Sequence, residues 1–144
     1  FQESGLAIWL GMQVGLLDKA PILLLILAVT TLIIFLTELT SNTATSAMVM
    51  PILSAVAIGL GQNPLLLIVP AAIAASCAFM LPVATPPNAI VFGSGYVTIP
   101  QMAKSGFGLN LIGIVLVIVV TYLLVLPVFD VAISEVPAWV SLAR

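Results

Sequence analysis

From Leu39 to Ala103 the chain carries no Asp, Glu, Lys or Arg, and from Ser105 to Phe129 it carries none either. No other feature constrains the fold as tightly. In a soluble domain about a quarter of the residues are charged; here 6% are charged and 62% are hydrophobic. Such a surface cannot be kept in water, so the chain reads as an all-α integral membrane protein with the bilayer as its solvent. The charged residues are Glu3, Asp18, Lys19, Glu38, Lys104, Asp130, Glu135 and Arg144. All but Glu38 lie near the ends of apolar runs, where a charge can reach water.

The same composition excludes other classes. Three cations do not make a basic patch, so no nucleic-acid partner is expected. There is no His, and a single Cys77 inside an apolar run can build neither a disulfide within the chain nor a cysteine metal site. Enzyme chemistry is therefore not expected, and no cofactor beyond a coupling ion. The chain begins at Phe1 in mid-pattern, with no basic n-region. A signal peptide is not expected, and a fragment of a longer membrane protein is.

Within this apolar context lie two polar islands, residues 37–46 (TELTSNTATS) and residues 84–88 (ATPPN). Two helices flank the first island, one opened by Pro21 and running to about Leu39, the other running to Leu60. Gly59, Gly61, Gln62, Asn63 and Pro64 then make a turn. Ser41, Asn42, Thr43 and Thr45 are residue types that cap helix N-termini. Each arm has about the minimum length for a crossing. Two readings follow: two full crossings with the island in water, or a re-entrant hairpin over 20–60 with its tip at 41–43 inside the membrane. The island has no Gly, Pro, Lys or Arg, as a water-exposed turn usually would, which favours the hairpin.

Residues 65–96 are too long for one simple crossing and too short for two. Pro86 and Pro87 lack an N–H and disfavour helix in the residue before each, so a discontinuous transmembrane helix broken at 84–88 is expected. Broken backbone at membrane depth is tolerated where protein buries it or it lines a cavity. Residues 97–106 read as a polar loop and 107–129 as the last transmembrane helix. Residues 1–19 read as an interfacial or truncated upstream helix, with Trp9 as an anchor, and 130–144 as a tail with Trp139 at the interface.

The two islands share a chemical resource. Helix N-termini offer unpaired N–H groups and partial positive charge to an anion, and unwound backbone offers carbonyl oxygens to a cation. Gly/Pro-interrupted apolar segments of this kind mark the binding sites of secondary transporters. Thr37, Thr40 and Ala84 have carbonyls for Na+; Asn42 has both a carbonyl and an amide; Ser41, Thr43 and Thr85 can donate to a carboxylate or sulfate. No Arg or Lys lies near either island, so a bound anion would need balancing by a cation and helix dipoles. A purely structural reading stands beside this one, because Ser and Thr pack between membrane helices and prolines kink them. Glu38, the one charge within an apolar run, is either a proton or cation site or a buried acid bonded to N–H groups of the tip. Gly93 and Gly95 are expected to allow close helix approach.

Ser41–Ala44 (SNTA) followed by Cys77–Gly95 (CAFMLPVATPPNAIVFGSG) closely resembles the divalent anion/sodium symporters, which carry dicarboxylates, citrate or sulfate. The resemblance runs from about Phe1 to Phe129 and places the chain in the C-terminal of two inverted repeats. It implies a re-entrant tip at Ser41, Asn42 and Thr43, and an unwound loop at Ala84, Thr85 and Pro86. It further implies sodium at Thr37, Thr40, Asn42 and Ala84, and the anion against Ser41, Asn42, Thr43, Thr85 and Pro86. By the same resemblance the partners are Na+, a small divalent anion, the lipid bilayer, a missing N-terminal half and a second copy in a homodimer. The resemblance also implies elevator-type movement and a multi-pass location in a plasma or inner membrane. Proton coupling, or a non-transporting membrane subunit, are the alternatives.

Overall fold

The computed structural model describes residues 21–129, together with Val131 and Pro137. The readings of residues 1–19, of the tail and of the Trp9 and Trp139 anchors fall outside the described residues. Every regular element among the described residues is helical. Helix α1 is Ile22–Thr37, α2 is Asn42–Gly59, α3 is Leu65–Ala74, α4 is Pro86–Gly93 and α5 begins at Ile99–Val120. The last continues through a π-helical turn, Thr121–Val125, into Leu126–Val128.

Each boundary has a local cause. Pro21 caps α1 with extended backbone, and Ser41 caps α2, its hydroxyl accepting from the Ala44 N–H at 3.5 Å. Gly61 turns the chain between α2 and α3 at φ +65°, a conformation that favours glycine. Helical structure then stops after Ala74 and resumes at Pro86. The interruption is therefore longer and earlier than 84–88. Pro86 and Pro87 do not sit in it; they open α4, where a missing N–H removes no helical bond.

Residues 97–106 are not a loop. Thr98 is the N-cap of α5, and the Gln101 Oε1 reaches back to accept from its N–H at 2.9 Å. Pro100 falls in the first turn. What reads as polar punctuation is a helix-start signal. The continuous helix Ile99–Val128 has 30 residues, about 45 Å at 1.5 Å per residue, against a hydrocarbon core of about 30 Å. The excess accommodates the polar first turns that carry Gln101 and Lys104.

Helix α3 lies against α1 and α2, and α5 against α1 and α3. The core they share joins Ile26, Ile33 and Ile34 of α1 to Leu53 and Ala57 of α2, to Leu67, Ala71 and Ala74 of α3, and to Ile114 of α5. Alanines on α3 bring the backbones close, which is how helices gain van der Waals contact where lipid removes the hydrophobic drive between them. The outward faces are apolar too: Leu23, Leu24 and Leu32 on α1 and Leu116, Leu123 and Leu124 in the α5 rod are exposed.

Close approach of backbone is set by a different glycine from those expected. A Cβ at Gly93 or Gly95 would meet nothing within 4 Å, and Gly95 serves a turn at φ +77°. A Cβ at Gly106 would collide with the Phe79 carbonyl and lie 2.5 Å from the Met80 Cα. Helix α5 thus touches the interrupted segment backbone to backbone. Gly106→Ala is expected to cost about 1–3 kcal/mol by overpacking and to lower the melting temperature in detergent. Gly113→Ala, whose Cβ would meet its neighbours at an ordinary 3.8 Å, is the matched control. Heating followed by size-exclusion chromatography measures both.

Candidate functional site

The turn between α1 and α2 and the stretch leading into α4 face one another across a cleft of about 430 Å³. Its walls are Leu39, Thr40, Ser41, Asn42 and Thr43 on one side and Val83, Ala84, Thr85 and Pro86 on the other. Of the site residues read from the sequence, only Thr37 is not in the lining. It is fully buried, with its hydroxyl 2.5 Å from the Asn42 Oδ1 and 2.9 Å from the Ala75 carbonyl oxygen. A hydroxyl has one proton, so it can donate to only one of these oxygens at a time. Oxygen atoms with fewer protons than acceptors make a donor set suited to a hard cation.

The two N-termini that open on the cleft differ in what they offer. At α2 the N–H groups of Asn42 and Thr43 have no partner within the helix. At α4, Pro86 and Pro87 have no N–H, and that of Asn88 is directed to the Thr85 Oγ1 at 3.4 Å. Donors for an anion therefore come mainly from the α2 end, from the amide of Asn42 and from the hydroxyls of Ser41, Thr43 and Thr85. The Thr40 hydroxyl bonds the Leu36 carbonyl at 2.9 Å and lies 2.6 Å from that of Thr45, which fixes the turn. Among the described residues, no Lys or Arg lines the cleft.

Behind the cleft, Glu38 is 4% exposed and decides where the interrupted segment sits. Its Oε1 accepts from the N–H of Phe79 at 2.7 Å, the N–H of Met80 at 2.9 Å and the Asn110 Nδ2 at 2.8 Å. Its Oε2 accepts from the N–H groups of Met80 and Leu81, each at 3.1 Å. Glu38 is thus a buried acid bonded to backbone N–H groups, but those of residues 79–81 and not those of the tip. Two carbonyls of the same segment are also paired: Ala78 and Leu81 each accept from the Asn88 Nδ2 at 3.0 Å. An irregular stretch in an apolar setting survives only with its polar groups paired, and here two side chains pair both sides of it.

Sequence reasoning missed Asn110, Asn88 as a clamp, and Gly106. The signal for Asn110 was present, since it is the one hydrogen-bonding side chain between Phe107 and Val120. Its partner lies 72 residues away, so no local spacing reveals the pair.

Comparison with known proteins bears on this arrangement. Residues 1–129 match the sodium:sulfate symporter transmembrane region. The chain is 51% identical over 133 residues to the sodium-dependent dicarboxylate transporter SdcS of Staphylococcus saprophyticus, covering 92% of this chain and 26% of that protein. It is 50% identical over the same length and shares to the transporter of that name from Staphylococcus aureus strains MRSA252 and USA300. The chain thus spans about a quarter of the length of these relatives, which are named as transporters and not as enzymes.

Pairing by Glu38 should slow amide exchange across Phe79–Leu81. Glu38→Ala leaves three adjacent N–H groups without acceptors, and exchange there is expected to accelerate by about tenfold or more, while the middle of α5 stays protected. Hydrogen–deuterium exchange followed by peptide mass spectrometry reads both segments.

Proposed function

This chain belongs to the sodium:sulfate symporter family, and on that premise we propose that it forms part of a sodium-coupled secondary transporter for a small divalent anion such as a dicarboxylate, citrate or sulfate. The observation that carries the proposal is the single cleft lined by both polar islands. At its floor Na+ is held by oxygens of Thr40, Asn42 and Ala84 in the lining and of Thr37, buried behind it. The anion is held by Ser41, Asn42, Thr43, Thr85 and Pro86, at the positive end of α2. With no lysine or arginine among the described residues of the lining, the bound Na+ supplies the positive charge the anion needs. Each ion then favours the other's binding, which is the thermodynamic basis of symport.

The length of α1 supports a re-entrant tip, while α2, with 18 residues, is long and apolar enough to cross. Helix α1 has 16 residues and rises about 24 Å, short of the roughly 30 Å hydrocarbon core. A tip that stops inside the membrane suits that length better than a turn in water on the far side. The interrupted α3–α4 pair then forms the discontinuous crossing and α5 the return. On this reading the chain is one repeat of an inverted pair and sits in a plasma or inner membrane as a multi-pass protein. The remaining length supplies the other half of the site and the scaffold of a homodimer, against which this part moves as an elevator in the bilayer. Sodium is favoured over protons because Glu38 does not line the cleft and its oxygens are already engaged by N–H donors.

The test is radiolabelled succinate uptake by the native transporter containing these residues, reconstituted in proteoliposomes with and without an inward Na+ gradient. Uptake is expected to require Na+. Asn42→Ala is expected to lower it by at least about tenfold, and Thr85→Ala by less, because Asn42 serves both ions. Uptake of succinate, citrate or sulfate that is indifferent to Na+ would remove the coupling ion from the proposal. No uptake under any gradient would leave the islands as packing elements.

A further inference from the structure

We propose that Asn110 and Glu38 are positioning residues through which α5 sets the width of the cleft and hence the affinity for Na+; this rests on the transport reading above. Neither residue lines the cleft. A continuous set of contacts nevertheless links α5 to both its walls. Asn110 donates to Glu38 at 2.8 Å. Glu38 follows Thr37 at the end of α1, so it is tied directly to the wall that carries Asn42. Its carboxylate holds the N–H groups of Phe79, Met80 and Leu81. The Leu81 carbonyl then accepts from the Ala84 N–H at 3.1 Å and from the Asn88 Nδ2 at 3.0 Å. Those two bonds fix the opposite wall, Val83 to Pro86.

Asn110 itself carries the mark of a role beyond packing. It is fully buried, yet its Oδ1 has no hydrogen-bond partner among the described residues. An orphaned buried acceptor costs stability, and an apolar residue of like size at this place would avoid the cost. The orientation is set by Glu38, because turning the amide over would place the Oδ1 against a carboxylate oxygen. One turn earlier, Gly106 lets α5 approach Phe79 and Met80 so closely that even a methyl group would clash. Together these features make α5 a rigid rail on which the interrupted segment is registered.

The test uses the native transporter in a Cys77→Ser background, with Leu39→Cys and Val83→Cys, one on each wall, added for cross-linking. Asn110→Leu removes both the donor and the orphaned acceptor while keeping a side chain branched at the same carbon. It is expected to slow oxidant-driven disulfide formation between the two walls by about fivefold or more, as a looser segment lowers their effective concentration. Without the cysteine pair, it is expected to raise the Na+ concentration for half-maximal uptake about tenfold while the maximal rate changes little. A packing role alone would leave both readouts at the parental value in protein that elutes as folded, and that result overturns the proposal. If Asn110→Leu does not fold, Asn110→Ala, which loses the donor without adding volume or a second acid beside Glu38, is read in the same two assays. Cross-linking needs no transport, so absent uptake in the parent counts against the transport reading while the disulfide rates still judge this one.

Discussion

A carboxylate that accepts from three consecutive backbone N–H groups is the interaction on which the rest of the structure depends. Between Ala74 and Pro86 the chain leaves the helix in surroundings that are almost wholly apolar. Water would ordinarily satisfy such backbone, and in a bilayer it is not there to do so. Glu38 takes the N–H side of residues 79–81, and Asn88 takes carbonyls at Ala78 and Leu81. Burying an ion costs several kcal/mol, and here five short contacts from four donors offset it. Removing the acid exposes the cost of the broken backbone; removing the broken backbone exposes the cost of the acid. The two are tolerable only together.

From this pairing the cleft follows. Glu38 lies two residues before Thr40 and four before Asn42, so an acid that grips Phe79–Leu81 draws residues 83–86 beside residues 39–43. The helix ends that face each other there are unequal. Serine-capped α2 brings free N–H groups, while the two prolines of α4 bring a helix start with almost none to spare. Proline at the first two positions of α4 removes N–H groups that a helix start usually presents, and the Thr85 hydroxyl takes that of Asn88.

Much of this was legible in the sequence, and the errors have a common cause. Both polar islands, Glu38 as the exceptional charge, and the all-helical class follow from composition and periodicity, because lipid permits few alternatives. The break was misplaced because Pro86 and Pro87 were read as ending a helix when they begin one. The true interruption holds Ser76, Cys77 and Pro82 among apolar residues, and its unwinding is dictated by Glu38 and Asn88, not by local propensity. The same confusion of start and stop hid the first two turns of α5, where Thr98, Pro100 and Gln101 form an N-terminal signal. Gly106 and Asn110 were invisible for a different reason: their meaning lies in contacts with residues 79–81 and 38, far along the chain.

The choice of acid at position 38 follows from the backbone it has to satisfy. An amide in its place would present an N–H to at least one of the backbone donors, so only a carboxylate, with two oxygens and no proton, satisfies the whole segment. The requirement of the broken backbone therefore fixes an acid next to Thr37, whose hydroxyl faces the Asn42 Oδ1 and the Ala75 carbonyl oxygen. The residue that holds the interrupted segment together is thus the immediate chain neighbour of the oxygen cluster behind the cleft, and one buried side chain ties the irregular backbone to the candidate site.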